Sequence, residues 1–312
     1  MNLLTFIDSN VLSLAVTMLA PLLVAALGEL IIEQSGISNM SIEGMMVMGG
    51  ACGFLASYFS GSQVVGMVAA MISTALMGLL LAVFAIKLRG SQLIVGLGLY
   101  VLGMGLPSLL YRLFIGIRLI APQIPILPKL PIPLLSDIPY IGPIFFKQPV
   151  LVYVAYLLVP VIWFFLYKTR IGIRVRATGE NPRAVDTLGI NVFSIRYACT
   201  ILGSALIGLG GAYLPMVLTG TYSDGMVGGR GWIALMLVIF GRWKPLGIVG
   251  GAFLFAYVEA LQFRLSMLTS AVPSQFFLML PYIVAILVLI RIYRNAEAPM
   301  GLSKPYDREL RA

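Results

Sequence analysis

The amino-acid sequence predicts an all-α, polytopic membrane protein with about nine or ten transmembrane helices. Three features lead there. Of the 312 residues, 60% are hydrophobic and 11% charged, whereas a soluble domain carries about 25% charged residues. The apolar residues gather into runs long enough to cross a bilayer, which takes roughly 20 residues in helix. The basic residues cluster between particular runs, as topology in a membrane requires.

The chain opens MNLLTFIDSN, without the basic region of a cleaved signal peptide, so the first apolar run, 11–28, is expected to stay. Residues 29–42 (ELIIEQSGISNMSI) are apolar in places but broken by polar residues and Gly36. They read as a loop, a re-entrant piece or a short span. Apolar runs follow at 43–60, 63–86, 92–111, 149–167, 197–219, 231–241, 246–267 and 273–290. The run 231–241 is too short to cross unless its Gly-rich lead-in, 225–230, continues it. Small residues, such as Gly49, Gly50 and Gly53 in one run and Gly203, Gly208 and Gly211 in another, are expected to let helices approach closely. Between 112 and 148 the prolines from Pro122 to Pro143 stiffen the chain toward polyproline-II geometry. That stretch reads either as a rigid lid over helix ends or as a contact surface for an external delivery protein.

Placing 87–89, 168–196, 242–244 and 291–312 in the cytoplasm puts fifteen of the 21 Lys and Arg residues inside. The expected division is a transmembrane domain, 1–291, and a cytoplasmic tail, 292–312. The side of the N-terminus follows from 29–42: nine spans put it outside, ten put it inside, and the family likeness given below favours ten.

Composition also excludes chemistry. Cys52 and Cys199 sit inside apolar runs and offer neither a disulfide framework nor zinc spacing, and no metal site or cofactor is expected. Histidine is absent, which removes the usual general base. No Gly-Lys dipeptide occurs, so there is no phosphate-binding loop of that kind and any ATP hydrolysis belongs to another subunit. The net charge of +9 speaks of topology rather than of nucleic acid.

The longest polar stretch is 168–196, between two apolar runs. Asn181 is a good N-cap, Pro182 suits the first helical position and Gly189 can close the helix in a left-handed conformation. A short helix is therefore expected over 182–188, behind Lys168, Arg170, Arg174 and Arg176. Composition alone leaves two readings open, a well-formed inner loop and a docking helix.

Polar groups inside apolar surroundings mark paths or pairs. Asn39 and Glu43 lie in GELIIEQSGISNMSIEG (28–44). GGRGWIAL (228–235) leads into a half-length helix, a device that can turn a positive helix end toward a substrate. There Arg230 either bonds a hydroxyl or carbonyl or snorkels to headgroups, and Trp232 can stack on a ring. FGRWKPLG (240–247) follows, with Arg242 and Lys244 as an inner-face anchor. Glu259, Gln262 and Ser266 form one polar stripe; Glu259 either pairs with an arginine of another span or selects substrate. Hydroxyls and amides suit such a stripe, and inorganic anions do not.

The run GIRVRATGENPRAVDTLGI (172–190) resembles the cytoplasmic loop of ATP-binding-cassette (ABC) importer permeases, in the subgroup for simple sugars and nucleosides related to branched-chain amino acid and ribose permeases. The runs at 28–44 and 228–247 resemble further family signatures, with Glu29 where the family has a small residue. The resemblance implies a coupling helix seated in a cleft of the ATPase, carried here by Gly179, Glu180, Asn181, Pro182, Arg183, Ala184, Asp186 and Gly189. It implies alternating access, nucleosides as cargo with simple sugars or riboflavin-like molecules as alternatives, and a bacterial-type plasma (inner) membrane. The implied partners are cassette ATPase subunits, a second permease, related or identical, and a substrate-binding lipoprotein or periplasmic protein. The rival readings are an ion-coupled secondary transporter working through Glu43 or Glu259 and a membrane scaffold or receptor.

Overall fold

The computed structural model describes residues 8–116, 118, 120–268, 273–292 and 297–307. The chain is helical almost throughout. Helix α1 (Ser9–Gln34) is followed by α2 (Ile42–Ser60), α3 (Gln63–Ala82) and α4 (Gln92–Ile115). Then come α5 (Val150–Lys168), α6 (Arg170–Glu180), α7 (Pro182–Thr187), α8 (Val192–Tyr213), α9 (Arg230–Phe240), α10 (Pro245–Leu268), α11 (Ser274–Leu278) and α12 (Leu280–Ile292). Among the described residues seven helices are long and apolar enough to cross a membrane, and 230–240 and 275–288 form shorter apolar helices. The protein is thus a multi-pass membrane protein.

Residues 29–42 do not make a tenth span. The helical pattern of α1 runs on through Glu29 and Glu33 to Gln34, and the chain then turns at Gly36, whose φ of +91° suits glycine. The two ends of α1 lie at opposite ends of the bundle. Ser13 Oγ donates to the Pro143 carbonyl at 3.1 Å, whereas Gln34 Nε2 donates to the Trp243 carbonyl at 2.8 Å. The start of α1 therefore shares the end of the proline-rich stretch, opposite the basic segments. This corrects the ten-span expectation to nine apolar helical segments among the described residues.

At the centre α8 packs against α1, α2 and α3, with α4, α5, α9 and α10 around them. The most apolar stretch of α1 is 83% buried and that of α4 only 22%, so α1 is the axis and α4 lies at the periphery of the bundle. Gly203 of α8 meets the backbone of α1 at Gly28 so closely that neither has room for a Cβ, the close approach small residues allow. Beyond Tyr213 helix α8 widens over Leu214–Thr219, where Pro215 supplies no N–H and its carbonyl accepts from Gly220 N at 3.0 Å.

The stretch 112–148 contains a small antiparallel ribbon, β1 (Lys129–Pro131) with β2 (Lys147–Pro149). It lies over the widened end of α8, with Ile124 N donating to the Gly220 carbonyl at 2.8 Å and Leu127 N to the Met216 carbonyl at 2.9 Å. Gln148 ties it to α1 by accepting from Thr17 Oγ1 at 2.7 Å. The stretch covers helix ends as a lid would.

Sequence reading missed α6. Gly172, Gly179 and three arginines argue weakly for a helix, yet Thr169 caps it by accepting from Gly172 N at 3.0 Å. Its narrow inward stripe of Gly172, Val175, Thr178 and Gly179 is buried, Arg170 and Arg174 are exposed, and Arg176 folds back on α5 to bond the Leu166 carbonyl at 3.0 Å.

Candidate functional site

The polar residues noted in the sequence form two separate sites. The first is inside the bundle, where the chain enters α9. Gly225, Gly228 and Gly229 all take positive φ, so the lead-in is a run of turns and α9 starts only at Arg230. Eleven residues rise about 16 Å, half of a bilayer core. The first N–H groups of such a helix have no intrahelical acceptor. Glu43, in the first turn of α2, supplies one: Oε1 accepts from Gly229 N at 2.8 Å and Oε2 from Gly231 N at 2.7 Å. A Cβ on Gly231 would lie 2.6 Å from the Glu43 nitrogen, so only glycine lets the two backbones meet. A carboxylate here also opposes the positive end of the helix dipole.

Arg230 Nη1 donates to the carbonyls of Met226 and Val227 at 3.1 and 3.0 Å, and Nη2 forms an ion pair with Glu259 of α10. Tyr282 of α12 donates to the Gly228 carbonyl at 3.2 Å. Arg230, Glu259, Gln262, Phe263 and Tyr282 line a cavity of about 190 Å3. Glu43 lies behind it as the cap of α9. Asn39 and Trp232 are not at this cavity. Asn39 is fully buried and occupied: Nδ2 donates to Glu29 Oε2 at 2.9 Å, and Oδ1 accepts from Ser41 N and Oγ at 3.0 and 2.6 Å. Trp232 packs edge-on against Tyr100 of α4, ring centres 5.5 Å apart.

The second site is at the basic end. Asn181 accepts from Ala184 N at 3.1 Å and starts α7; Pro182 holds its first position, and Gly189 follows its end with φ +76°. The inward face is fastened. Val185 is buried, Asp186 accepts from the Tyr306 hydroxyl at 2.8 Å, and Glu180 accepts from Met300 N at 3.2 Å. The buried Gly179 gives its carbonyl to Gly301 N at 2.7 Å. The outward face, Asn181, Arg183, Ala184, Thr187 and Leu188, is open to solvent, and Leu188 is 76% exposed.

Three residues that hold these sites drew no functional reading from the sequence. Arg196, 1% exposed, donates from Nε to the Ser35 carbonyl at 3.2 Å and from Nη1 to the Lys304 carbonyl at 3.3 Å. Trp243 donates to Glu33 Oε2 at 2.5 Å, and Tyr306 is the partner of Asp186. The available signal was an arginine four residues into an apolar helix, which is costly without partners.

A family model described as the permease component of the branched-chain amino acid transport system matches residues 11–289. The guanosine ABC transporter permease protein NupQ of Bacillus subtilis is 34% identical over 92% of this chain and 93% of its own. The nucleoside ABC transporter permease protein NupC of Lactococcus lactis is 33% identical over 96% and 95%. TsgC13 of Haloferax volcanii, provisionally named a glucose ABC transporter permease protein, is 33% identical over 93% and 94%. No solved structure gives a significant match.

Proposed function

The chain belongs to the family of permease components of branched-chain amino acid transport systems, and on that premise we propose that it is the membrane subunit of an ABC importer carrying nucleosides across a bacterial-type inner membrane. The observation that carries the proposal is α7: a capped helix at the basic end that holds Leu188 76% exposed on its outward side. An apolar side chain held out in the most polar part of the sequence would contribute about 1.5–3 kcal/mol if buried in a partner's cleft. In this reading 1–291 is the permease domain and 292–312 its cytoplasmic tail. An ATPase pair grips α7 from below, with Gly179, Glu180, Asn181, Pro182, Arg183, Ala184, Asp186 and Gly189 forming or framing the contact. A second permease completes the path and an extracytoplasmic binding protein delivers the cargo.

The intramembrane site supports an uncharged polar cargo. The positive end of α9 is taken by Glu43 and the charge of Arg230 by Glu259, so the cavity offers hydrogen bonds without net charge. An anion would have to displace a carboxylate to bind there. The names of NupQ and NupC point to nucleosides among such solutes; a simple sugar is the second reading, favoured by the same neutrality and by the name of TsgC13. The cavity, about 190 Å3, is below the roughly 300–1,000 Å3 of ordinary ligand sites, which suits one wall of a path completed by a second permease. Ion-coupled transport through Glu43 or Glu259 is disfavoured because both carboxylates are already committed.

The test is uptake of tritiated guanosine by proteoliposomes holding this chain with the ATPase and permease that co-purify with it. Uptake should require ATP and survive a protonophore, and glucose in excess should compete poorly. The paired change Asn181→Gly and Pro182→Gly should abolish most uptake with membrane insertion intact. Uptake that follows the proton gradient, or that ignores the paired change, would overturn the proposal.

A further inference from the structure

The segment 297–307 does not hang free below the bundle. Gly301 N donates to the Gly179 carbonyl at 2.7 Å and Met300 N to Glu180 Oε2 at 3.2 Å, fastening it to the end of α6. The Tyr306 hydroxyl donates to Asp186 of α7 at 2.8 Å. The Tyr306 ring lies 5.7 Å from that of Phe193 and, with Val185 and Val192, makes a small apolar cluster separate from the membrane core. Lys304 gives its carbonyl to Arg196 of α8, and Asp307 pairs with Arg89 in the turn after α3. One short segment thus bridges α6, α7, the start of α8 and the turn after α3.

Helix α7 has six residues, and isolated helices below about 12–15 residues are marginal in water. Of its own side chains only Val185 is buried. On either side the chain can bend, at Asn181, which is outside both helices, and at Gly189. A lever built that way would yield at its ends when pushed. The strap removes that freedom, because it holds α6, α7 and the start of α8 against one another. Arg196 carries the connection inward, since the same guanidinium also bonds the Ser35 carbonyl at the end of α1. The strap occupies the Val185 and Asp186 side of α7 and leaves Ala184, Thr187 and Leu188 exposed, so the Leu188 side assigned to the ATPase is not covered by it.

We infer that residues 297–307 are a strap that stiffens α7, with Gly301 and Tyr306 as its positioning residues, so that displacement of α7 by an ATPase moves α8 and α1 instead of bending the loop. This rests on the importer reading. Gly301→Ala tests it from one side, because a Cβ there falls 2.7 Å from the Gly179 carbonyl oxygen and 3.4 Å from Pro182 Cδ, prying the strap off α6. Tyr306→Phe tests it from the other side, keeping the ring and removing the hydroxyl that bonds Asp186.

In the full chain purified with its ATPase and permease partners, two quantities are read: amide hydrogen exchange over 182–188, and guanosine taken up per ATP hydrolysed. Gly301→Ala should speed exchange about tenfold and lower uptake per ATP about fivefold or more, while the ATPase still co-purifies. Tyr306→Phe should move both in the same direction by less. Faster exchange with unchanged uptake per ATP would make the strap merely structural and overturn the inference; so would unchanged exchange in both variants, or a rise in uptake, which would make the segment an inhibitor. If Gly301→Ala does not accumulate, Tyr306→Phe decides by the same two readings. A wild-type complex without ATP-dependent uptake would sink the importer reading itself, an outcome seen before any variant is made.

Discussion

The lead-in to α9 and the loop that carries α7 are both short helices framed by glycine, but their polar groups are used in opposite ways. At α9 the exposed N–H groups meet Glu43, the guanidinium meets Glu259 and the Gly228 carbonyl meets Tyr282. At α7 the chain fastens the inner face through Val185 and Asp186 and holds Leu188 out into solvent. The difference follows from the surroundings. Within a bilayer an unsatisfied polar group costs several kcal/mol, so the α9 site has to be completed by the chain itself. At the aqueous surface an unanswered face costs little, and it can be left for another protein. Changes at α9 should therefore damage the isolated chain, and changes on the outer face of α7 should damage only the assembled transporter.

The largest effect is expected at the ion pair. Glu259→Gln leaves Arg230 without its counter-charge, and breaking a buried pair costs about 3–5 kcal/mol. The low end applies, because the two side chains keep 16% and 13% exposure. Arg230→Gln with Glu259→Gln removes both charges together and should recover much of the loss. Thermal unfolding of the detergent-purified chain would show this as a coupling of at least about 1 kcal/mol in a double-mutant cycle. Additive losses would mean the two groups do not depend on each other, and the self-completed character of the site would be gone.

A smaller effect is expected from Glu43→Gln. The amide keeps one acceptor for α9 and loses the charge opposite the helix end. A charge-assisted bond contributes about 1.5–3 kcal/mol against about 1 for a neutral one, so weakening one bond and losing the other gives a low-end loss of about 2 kcal/mol. The variant also sharpens the account of cargo. Guanosine monophosphate should not compete with guanosine uptake in the wild type and should compete measurably in Glu43→Gln. Equal competition in both would detach Glu43 from the exclusion of anions.

The two sites were unequally legible in the sequence for the same reason that they differ in structure. The start of α7 depends on Asn181, Pro182 and Ala184, within three residues of each other, so its caps can be read locally. The nine apolar segments are likewise local, since hydropathy over one window defines each. The α9 site depends on contacts 186 and 188 residues apart between Glu43 and the glycines, and 29 apart between Arg230 and Glu259. Composition could say that these groups need partners without saying which. Asn39 shows the limit clearly. Its polarity and its place in a family-like run make it a candidate for the path, and in the structure it bonds Glu29 and Ser41. The strap was illegible because its bonds to α6 and α8 run through backbone N–H and carbonyl groups, which every sequence possesses.

The smallest effect on the chain, and the sharpest contrast, is expected at Leu188. With 76% of its surface exposed, Leu188→Ser removes almost no burial, and a surface substitution of this kind changes stability by about 0.5 kcal/mol or less. Thermal unfolding of the isolated chain should therefore match the wild type. Burying a leucine against a partner contributes about 1.5–3 kcal/mol, which is roughly a tenfold to hundredfold change in affinity. The amount of ATPase retained through purification should fall accordingly, and guanosine uptake with it. Loss of stability in Leu188→Ser would show that the outer face of α7 supports its own chain after all. Unchanged retention of the ATPase would show that this face is not the one gripped, and the contrast between a site completed from within and a handle completed from without would no longer hold.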